Sequence, residues 1–429
     1  MSADPLASGP SLLLTNAGTW GGPDGTATVD VLLRAGRVEQ VFPAGGGRPA
    51  PPPHTGRPQD PRHLDLTGHL LLPAPAEPHC HLDKALTGPL GDRAHDGDLD
   101  GAVRAWYAHR RQASRARVRE RALRVAERLL ASGATAVRTH LDVGEATGLL
   151  FLEALGEVKE RLRGRLELQL VAMVDLPLRG PAGAGNRAAL ADALAAGADV
   201  VGGAPYRDED PAACLDILMD RAAGAGRPLD LHIDETLDPR ADSLGALAAR
   251  VRETGFPYGV TASHCVSLAM RPPEAVARTA ARVAAAGIAV VACPATNLYL
   301  QGRAHGGLAV PRGLTALAHL RAAGVTVAGG GDNVRDPFLP LGRCDPLDTA
   351  ALLVLAGHLT PGAAYDAVSR GARAAMGLPA PELRAGAPAE LLAVRATTPA
   401  EALADGADRL VFHRGRVVCR TRRETEFLG

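Results

Sequence analysis

Apolar and polar positions follow two rhythms along this chain. Residues 11–42 alternate with a period near two, in SLLLTNAGTW and ATVDVLLRAGRVEQVF, which predicts short strands joined by glycine-rich turns. The following AGGGRPAPPPHTGRPQDPR, residues 44–62, is too rich in Gly and Pro for regular structure and reads as a loop or linker. From about residue 68 short apolar runs alternate with Ala/Leu/Arg-rich stretches of helical period. The runs are LLPAPAEPHCH, ATAVRTHLDV, LELQLVAMVD, ADVVGGAP, PLDLHID, GVTASHC, IAVVACP and VTVAGGGD. Helices are predicted between them over 98–131, 147–163, 186–196, 211–224, 241–255, 273–286 and 314–323. Eight strand–helix units predict an α/β protein built on a (β/α)₈ barrel. The tail, ELLAVRA and RLVFHRGRVVCRT, returns to strand and hairpin character and is expected to join the N-terminal strands in one small β-sandwich domain. The expected organisation is 1–67 and 386–429 as the two parts of that domain, with the barrel over 68–385.

Composition narrows the class. Of 429 residues, 46% are hydrophobic and 22% charged, which suits a soluble globular chain with a large core. Lys+Arg and Asp+Glu are equal at 47, so no basic excess argues for nucleic acid or an anionic membrane surface. No run of 18 apolar residues argues for a membrane span, and Met1 to Gly18 lacks the pattern of a signal peptide. The six cysteines are scattered without a CxxC pair, and are read as reduced thiols in the cytoplasm. Only two of the 47 basic residues are lysines, Lys84 and Lys159. Lys84 falls in the most polar motif of the chain, where a compact ammonium can do what a planar guanidinium does not.

Barrel active sites form at the C-terminal ends of the strands, and the apolar runs here end in residues of one chemistry. Run one closes on His79-Cys80-His81-Leu82-Asp83-Lys84, run two on Arg138-Thr139-His140-Leu141-Asp142, run five on His232-Ile233-Asp234-Glu235, run six on Ser263-His264 and run eight on Asp332-Asn333. Strand alternation puts both imidazoles of HxH on one face and turns the thiols of Cys80 and Cys265 the other way, into the core. Two such imidazoles, a third His and an Asp make a site for Zn²⁺ or Fe²⁺. Each piece alone has a plainer reading: His232 as a rim histidine, Asp332 as a helix cap before Val334, Asp83 and Asp142 as rim carboxylates or orienters of the ligands. Ordering carries the argument, because ligand-type residues close runs one, five, six and eight together. Other histidines, among them His54, His95 and His413, close no such run and are read as structural or solvated.

AEPHCHLDKALTG, VRTHLDVG, LHIDET, SHC, NLYLQGR and GDNVRDPFLPLG together resemble the amidohydrolase superfamily, in its cytosine deaminase-like branch, over nearly the whole chain. The resemblance implies His79, His81, His232 and Asp332 as metal ligands, Glu235 as proton shuttle and His264 as the residue that orients the attacking water. Some members carry a bridging carboxylated lysine after strand four. Here that run ends VVGGAPY, so a single divalent ion, Zn²⁺ or Fe²⁺, is implied.

The activity expected is hydrolytic deamination of a small amino-substituted nitrogen heterocycle, pyrimidine-like, with release of ammonia. The alternatives are release of an amine from an N-alkylamino-s-triazine and hydrolysis of a cyclic amide. A decayed barrel acting only in binding is disfavoured because no catalytic-type position is vacant. The expected partner is a small heterocyclic substrate, and homo-oligomerisation is left open. Lys84 is expected either to face the substrate or to pair with Asp83 or Asp142. In the branch pattern a glutamine ends the run resembling LQLVAMVD; here Asp175 stands there, and Asn333 stands where an aspartate often follows the metal-binding one. An ionised Asp only accepts hydrogen bonds, so Asp175 disfavours cytosine's O2 edge and suits an edge with two adjacent N–H donors. Asn333 has a parallel in the branch that acts on N-alkylamino-triazines.

Overall fold

The computed structural model describes residues 11–20, 26–43, 62–88 and 97–428. The expected linker at 44–61, His54, His95 and the first ten residues lie outside them.

The eight apolar runs form eight parallel strands: Ala76–Cys80, Ala136–Val143, Glu167–Val174, Val200–Gly203, Leu229–Ile233, Val260–His264, Ala289–Ala292 and Val327–Gly329. Each pairs with its sequence neighbours, giving one eight-stranded sheet in chain order. The eighth strand has only three residues, and the seam to the first is closed just beyond it. There Cys80 bridges Asp332, the Asp332 N–H donates to the His79 carbonyl at 2.9 Å, and the His81 N–H donates to the Asp332 carbonyl at 3.1 Å. The result is a (β/α)₈ barrel.

Helical period buries one face of each outer helix against the strands. In Arg115–Ala131 the buried residues are Val118, Ala122, Val125, Ala126, Leu129 and Leu130, while Arg115, Arg117, Arg119, Arg124 and Arg128 are exposed. Ser243–Thr254 is capped by the Asp242 carboxylate at the Gly245 N–H and ends at Gly255 in the left-handed region. The single helix expected over 98–131 is two, Leu99–Arg110 and Arg115–Ala131, with the break at Arg111–Ser114. Helical spacing runs through that break because Arg, Gln and Ala suit a helix, so only packing decides where the chain turns. No helix among the described residues is long and apolar enough to cross a membrane.

Both ends of the chain build the second eight-stranded sheet. His69–Pro73 pairs antiparallel with Leu391–Arg395, in register from Leu391 opposite Pro73 to Arg395 opposite His69. These two strands serve two cores at once. Leu71, Leu391 and Ala393 point into the sheet's own core with Leu14, Val31 and Phe412, while Leu70, Leu72, Leu392 and Val394 point into the barrel's core. Period-two alternation with both faces apolar thus fastens the terminal sheet to the barrel.

Inside the barrel, residues two apart on a strand stack in layers. Glu77, His79 and His81 line the first strand and its end, Arg138, His140 and Asp142 the second, and Asp230 and His232 the fifth; all are buried.

Candidate active site

Three histidines and one aspartate meet at the C-terminal mouth of the barrel. The His79 and His232 rings lie 4.6 Å apart and those of His81 and His232 5.1 Å. His81 Nε2 is 3.1 Å from His232 Nε2 and 3.4 Å from Asp332 Oδ1, which is itself 3.7 Å from His79 Nε2. Burial, together with neighbouring imidazole and Lys84 charge, pushes all three histidines well below their ordinary pKa, so their rings are neutral. Burial raises Asp332 to about 7, against the pull of His264. Both nitrogens of His79, Nδ1 of His232 and Oδ2 of Asp332 are buried without a hydrogen-bond partner among the described residues. Buried polar atoms are rarely left so, and a cluster of neutral nitrogens facing a carboxylate is the donor set a divalent cation fits.

Glu235 follows the fifth strand and stands beside this cluster. Burial pushes its carboxyl up to about 7, although Arg207 and the Tyr206 hydroxyl favour the anion. Tyr206 donates to Glu235 Oε2 at 3.3 Å, and the Gln301 amide donates to the Glu235 carbonyl at 3.2 Å. His264 ends the sixth strand with its Nδ1 3.6 Å from Glu235 Oε1 and 3.0 Å from Asn297 Oδ1. Its backbone takes the left-handed conformation, φ 70°, as does Asp332 at 62°. Non-glycine residues rarely adopt it, and such strain gathers at functional sites.

A cleft of about 710 Å³, counted out to its open mouth, rises from these residues. Leu99, Val103, Trp106, Tyr107, Met173, Leu176 and Phe338 form its apolar walls, and Lys84, Asp142, Asp175, Arg207 and Asn333 its polar ones. Lys84 lines the cleft and is ion-paired, its Nζ 3.3 Å from Asp142 Oδ1 and 3.7 Å from Asp83 Oδ2. Burial opposes its charge, but Asp142, Asp83 and Asp336 outweigh burial and hold the ammonium protonated. Nζ also lies 3.1 Å from His81 Nδ1. Asp175 reaches the cleft wall, and Arg110 takes both its oxygens, at 2.9 and 2.8 Å. Gly144 makes room for it, since a Cβ there would stand 2.3 Å from Asp175 Oδ2. Asn333 is committed on both sides, donating to Asp336 at 2.9 Å and accepting from Thr296 at 3.3 Å.

Several residues here carried no assigned role in the sequence reading. His140 is fully buried, its ring 4.2 Å from that of His79, and one of its nitrogens lies within 4.8 Å of ligand nitrogens of His79 and His232. Its signal was available: it closes the second run two residues before Asp142, on the same strand face. The Cys293 Sγ lies within 4.8 Å of ligand atoms of His79, His264 and Asp332, with its thiol pushed well above its usual pKa by burial. Arg110 and Trp106, which donate to Asp142 Oδ2 at 2.6 Å each, sit on a helix whose pattern speaks only of packing.

The chain is similar to known proteins over nearly its whole length. Residues 83–419 match the model of an amidohydrolase family. A pterin deaminase of Rhizobium rhizogenes is 33% identical, covering 93% of this chain and 89% of its own. The solved structure of 5-methylcytosine deaminase from Klebsiella pneumoniae, liganded with phosphonocytosine, superposes with a TM-score of 0.85 at 28% identity over 97% of this chain and all of that one. N-isopropylammelide isopropylaminohydrolase from Burkholderia multivorans gives 0.80 at 33% identity, over 96% and 99%.

Proposed function

The chain belongs to the amidohydrolase family and is a hydrolase of carbon–nitrogen bonds, and from that premise we propose that it hydrolytically deaminates a small amino-substituted nitrogen heterocycle. The observation that carries the proposal is the juxtaposition of a buried, unsatisfied His/Asp cluster with a carboxyl held near neutrality at the floor of a ring-sized cleft. His79, His81, His232 and Asp332 would hold one divalent ion, Zn²⁺ or Fe²⁺. When bound, such an ion lowers the pKa of water from 15.7 to roughly 7. The protein's own residues do the rest. Glu235, protonated near neutral pH, gives its proton to a ring nitrogen and makes the adjacent carbon electrophilic. His264 Nε2 and Asp332 Oδ2, both without hydrogen-bond partners among the described residues, are the acceptors available to orient the attacking water and take its proton. Carbon–nitrogen cleavage then releases ammonia as the ring carbon becomes a carbonyl.

The Arg110–Asp175 pair supports a substrate edge with two N–H donors. Arg110 keeps the carboxylate fixed, and each oxygen retains a lone pair that can accept. This favours 2-amino-oxo heterocycles, in keeping with the activity of the pterin deaminase relative, over cytosine. Release of an alkylamine from an N-alkylamino-triazine is the second reading, favoured by the Leu99, Val103 and Leu176 wall.

Elemental analysis and a product assay over pterin, isocytosine, cytosine and N-isopropylammelide test both readings. One metal per chain and ammonia release with kcat/KM highest for a 2-amino-oxo ring is the expected outcome. Asp175→Gln should shift preference toward cytosine by a factor that can reach about 10⁴ where unpaired polar groups decide discrimination. Two metals at full activity, or full activity without metal, overturns the single-ion reading, and amine release from the triazine alone selects the second.

A further inference from the structure

The NLYLQGR segment belongs to the short helix Pro294–Leu300 and the residues after it, and it takes no part in the chemistry above. Yet this helix and the residue after it reach three separate parts of the site. Thr296 donates to Asn333, Gln301 donates to the Glu235 carbonyl, and Asn297, fully buried, places its Oδ1 3.0 Å from His264 Nδ1. His264 needs such support. Its backbone and that of Cys265 are left-handed at φ 70° and 49°, and its carbonyl is pinned by the Thr315 hydroxyl at 2.6 Å. A strained residue keeps one geometry only where its surroundings over-determine it.

We infer that Asn297 is the positioning residue of His264, accepting from its Nδ1–H and so fixing the tautomer that leaves Nε2 bare and turned into the site. In a neutral imidazole one nitrogen donates and the other accepts, and the partner of the first decides the role of the second. Asn297 Oδ1, at 3.0 Å, is the one group within hydrogen-bond distance of Nδ1 among the described residues, and an amide oxygen only accepts, so the proton belongs on Nδ1. Nε2, which has no partner among the described residues, is then an acceptor for water. Turned the other way, the amide would donate to Nδ1, move the proton to Nε2 and make His264 a donor where the reaction requires an acceptor. The inference rests on the role given to His264 above.

The test compares Asn297→Leu, which removes the acceptor at similar volume, with Asn297→Asp, which keeps it and has no N–H to offer. In metal-replete protein Asn297→Leu should lower kcat about 10–100-fold, the usual cost of losing an orienting partner, with KM and metal content little changed. Asn297→Asp should recover about tenfold or more of that loss. In a His264→Gln background Asn297→Leu should add no further loss. Long-range ¹H–¹⁵N spectra of histidine-labelled protein, with the His264 signal identified by its absence in His264→Gln, read the tautomer directly and need no turnover. They should show Nδ1–H in the native protein and in Asn297→Asp. An Nε2–H tautomer in the native protein, Asn297→Asp slower than Asn297→Leu, or native kcat in Asn297→Leu overturns the inference. Native activity in His264→Gln instead overturns the role of His264 itself.

Discussion

Two polar layers lie one above the other inside the same barrel, and they are built on opposite terms. In the lower layer Arg138 donates to Asp230 at 2.7 Å, to Gln169 at 2.9 Å and to the Ala375 carbonyl at 3.1 Å, and Ser263 donates to Asp230 at 3.4 Å. The guanidinium and the carboxylate are both buried, and each is matched by a partner. Two residues further along the same strands, His140 and His232 join His79 and Asp332 with several nitrogens and an oxygen lacking hydrogen-bond partners among the described residues. A satisfied buried network specifies structure, whereas an unsatisfied one costs free energy that only a ligand or function explains. The lower layer plugs the barrel, and the upper layer keeps buried donor atoms without hydrogen-bond partners among the described residues.

The sharpest way to break this comparison is Glu235→Gln at the upper layer. It should lower kcat by about 10²–10⁴, with fold and metal content intact, because in the proposed reaction the group moves a proton and holds no ion. Steady-state kinetics with elemental analysis decide it, and a variant retaining more than a tenth of native kcat refutes the assignment. Arg138→Met should behave conversely. It strands Asp230 without its cation and should cost about 3–5 kcal/mol of stability in denaturant titration, while kcat/KM of the folded fraction stays near native. If stability holds and turnover collapses, the lower layer is part of the chemistry.

The smallest effect is a difference in pH response between two buried carboxyls. Burial raises Glu235 from its usual 4.5 to about 7, so its contribution to stability is full below about 4.5 and is lost as pH rises through 7. Glu390 in the terminal sheet is the reverse: burial works against its charge, but His413, 2.9 Å away, and Arg373 outweigh it and lower the pKa. Its contribution is present above about 4.5 and is lost as pH falls below that. In metal-free protein the Tm advantage of native over Glu235→Gln should shrink from pH 5 to 7.5, and that over Glu390→Gln should shrink on acidification. Parallel profiles for the two variants would erase the distinction.

The eight strands were readable because short apolar runs bounded by Gly and Pro carry their own signal, as do alternating residues: His79 and His81 share a face on any strand. The terminal sheet was readable as strands from both ends, although the alternation of Leu70, Leu71 and Leu72 between two cores was not. The break at Arg111–Ser114 escaped notice because local propensity is the same on either side of it.

Residue type and spacing along single strands therefore determined the architecture and the kinds of group at the barrel mouth, since backbone periodicity alone dictates which side chains share a face. Partnership was decided only in three dimensions. Arg110 meets Asp175 across 65 residues, Asn297 meets His264 across 33, and His140 stands against His79 from a neighbouring strand. Those contacts depend on how a helix sits over the mouth, where a seven-residue helix lands, and which ring turns inward. Packing of distant elements sets these features, and no local pattern encodes them.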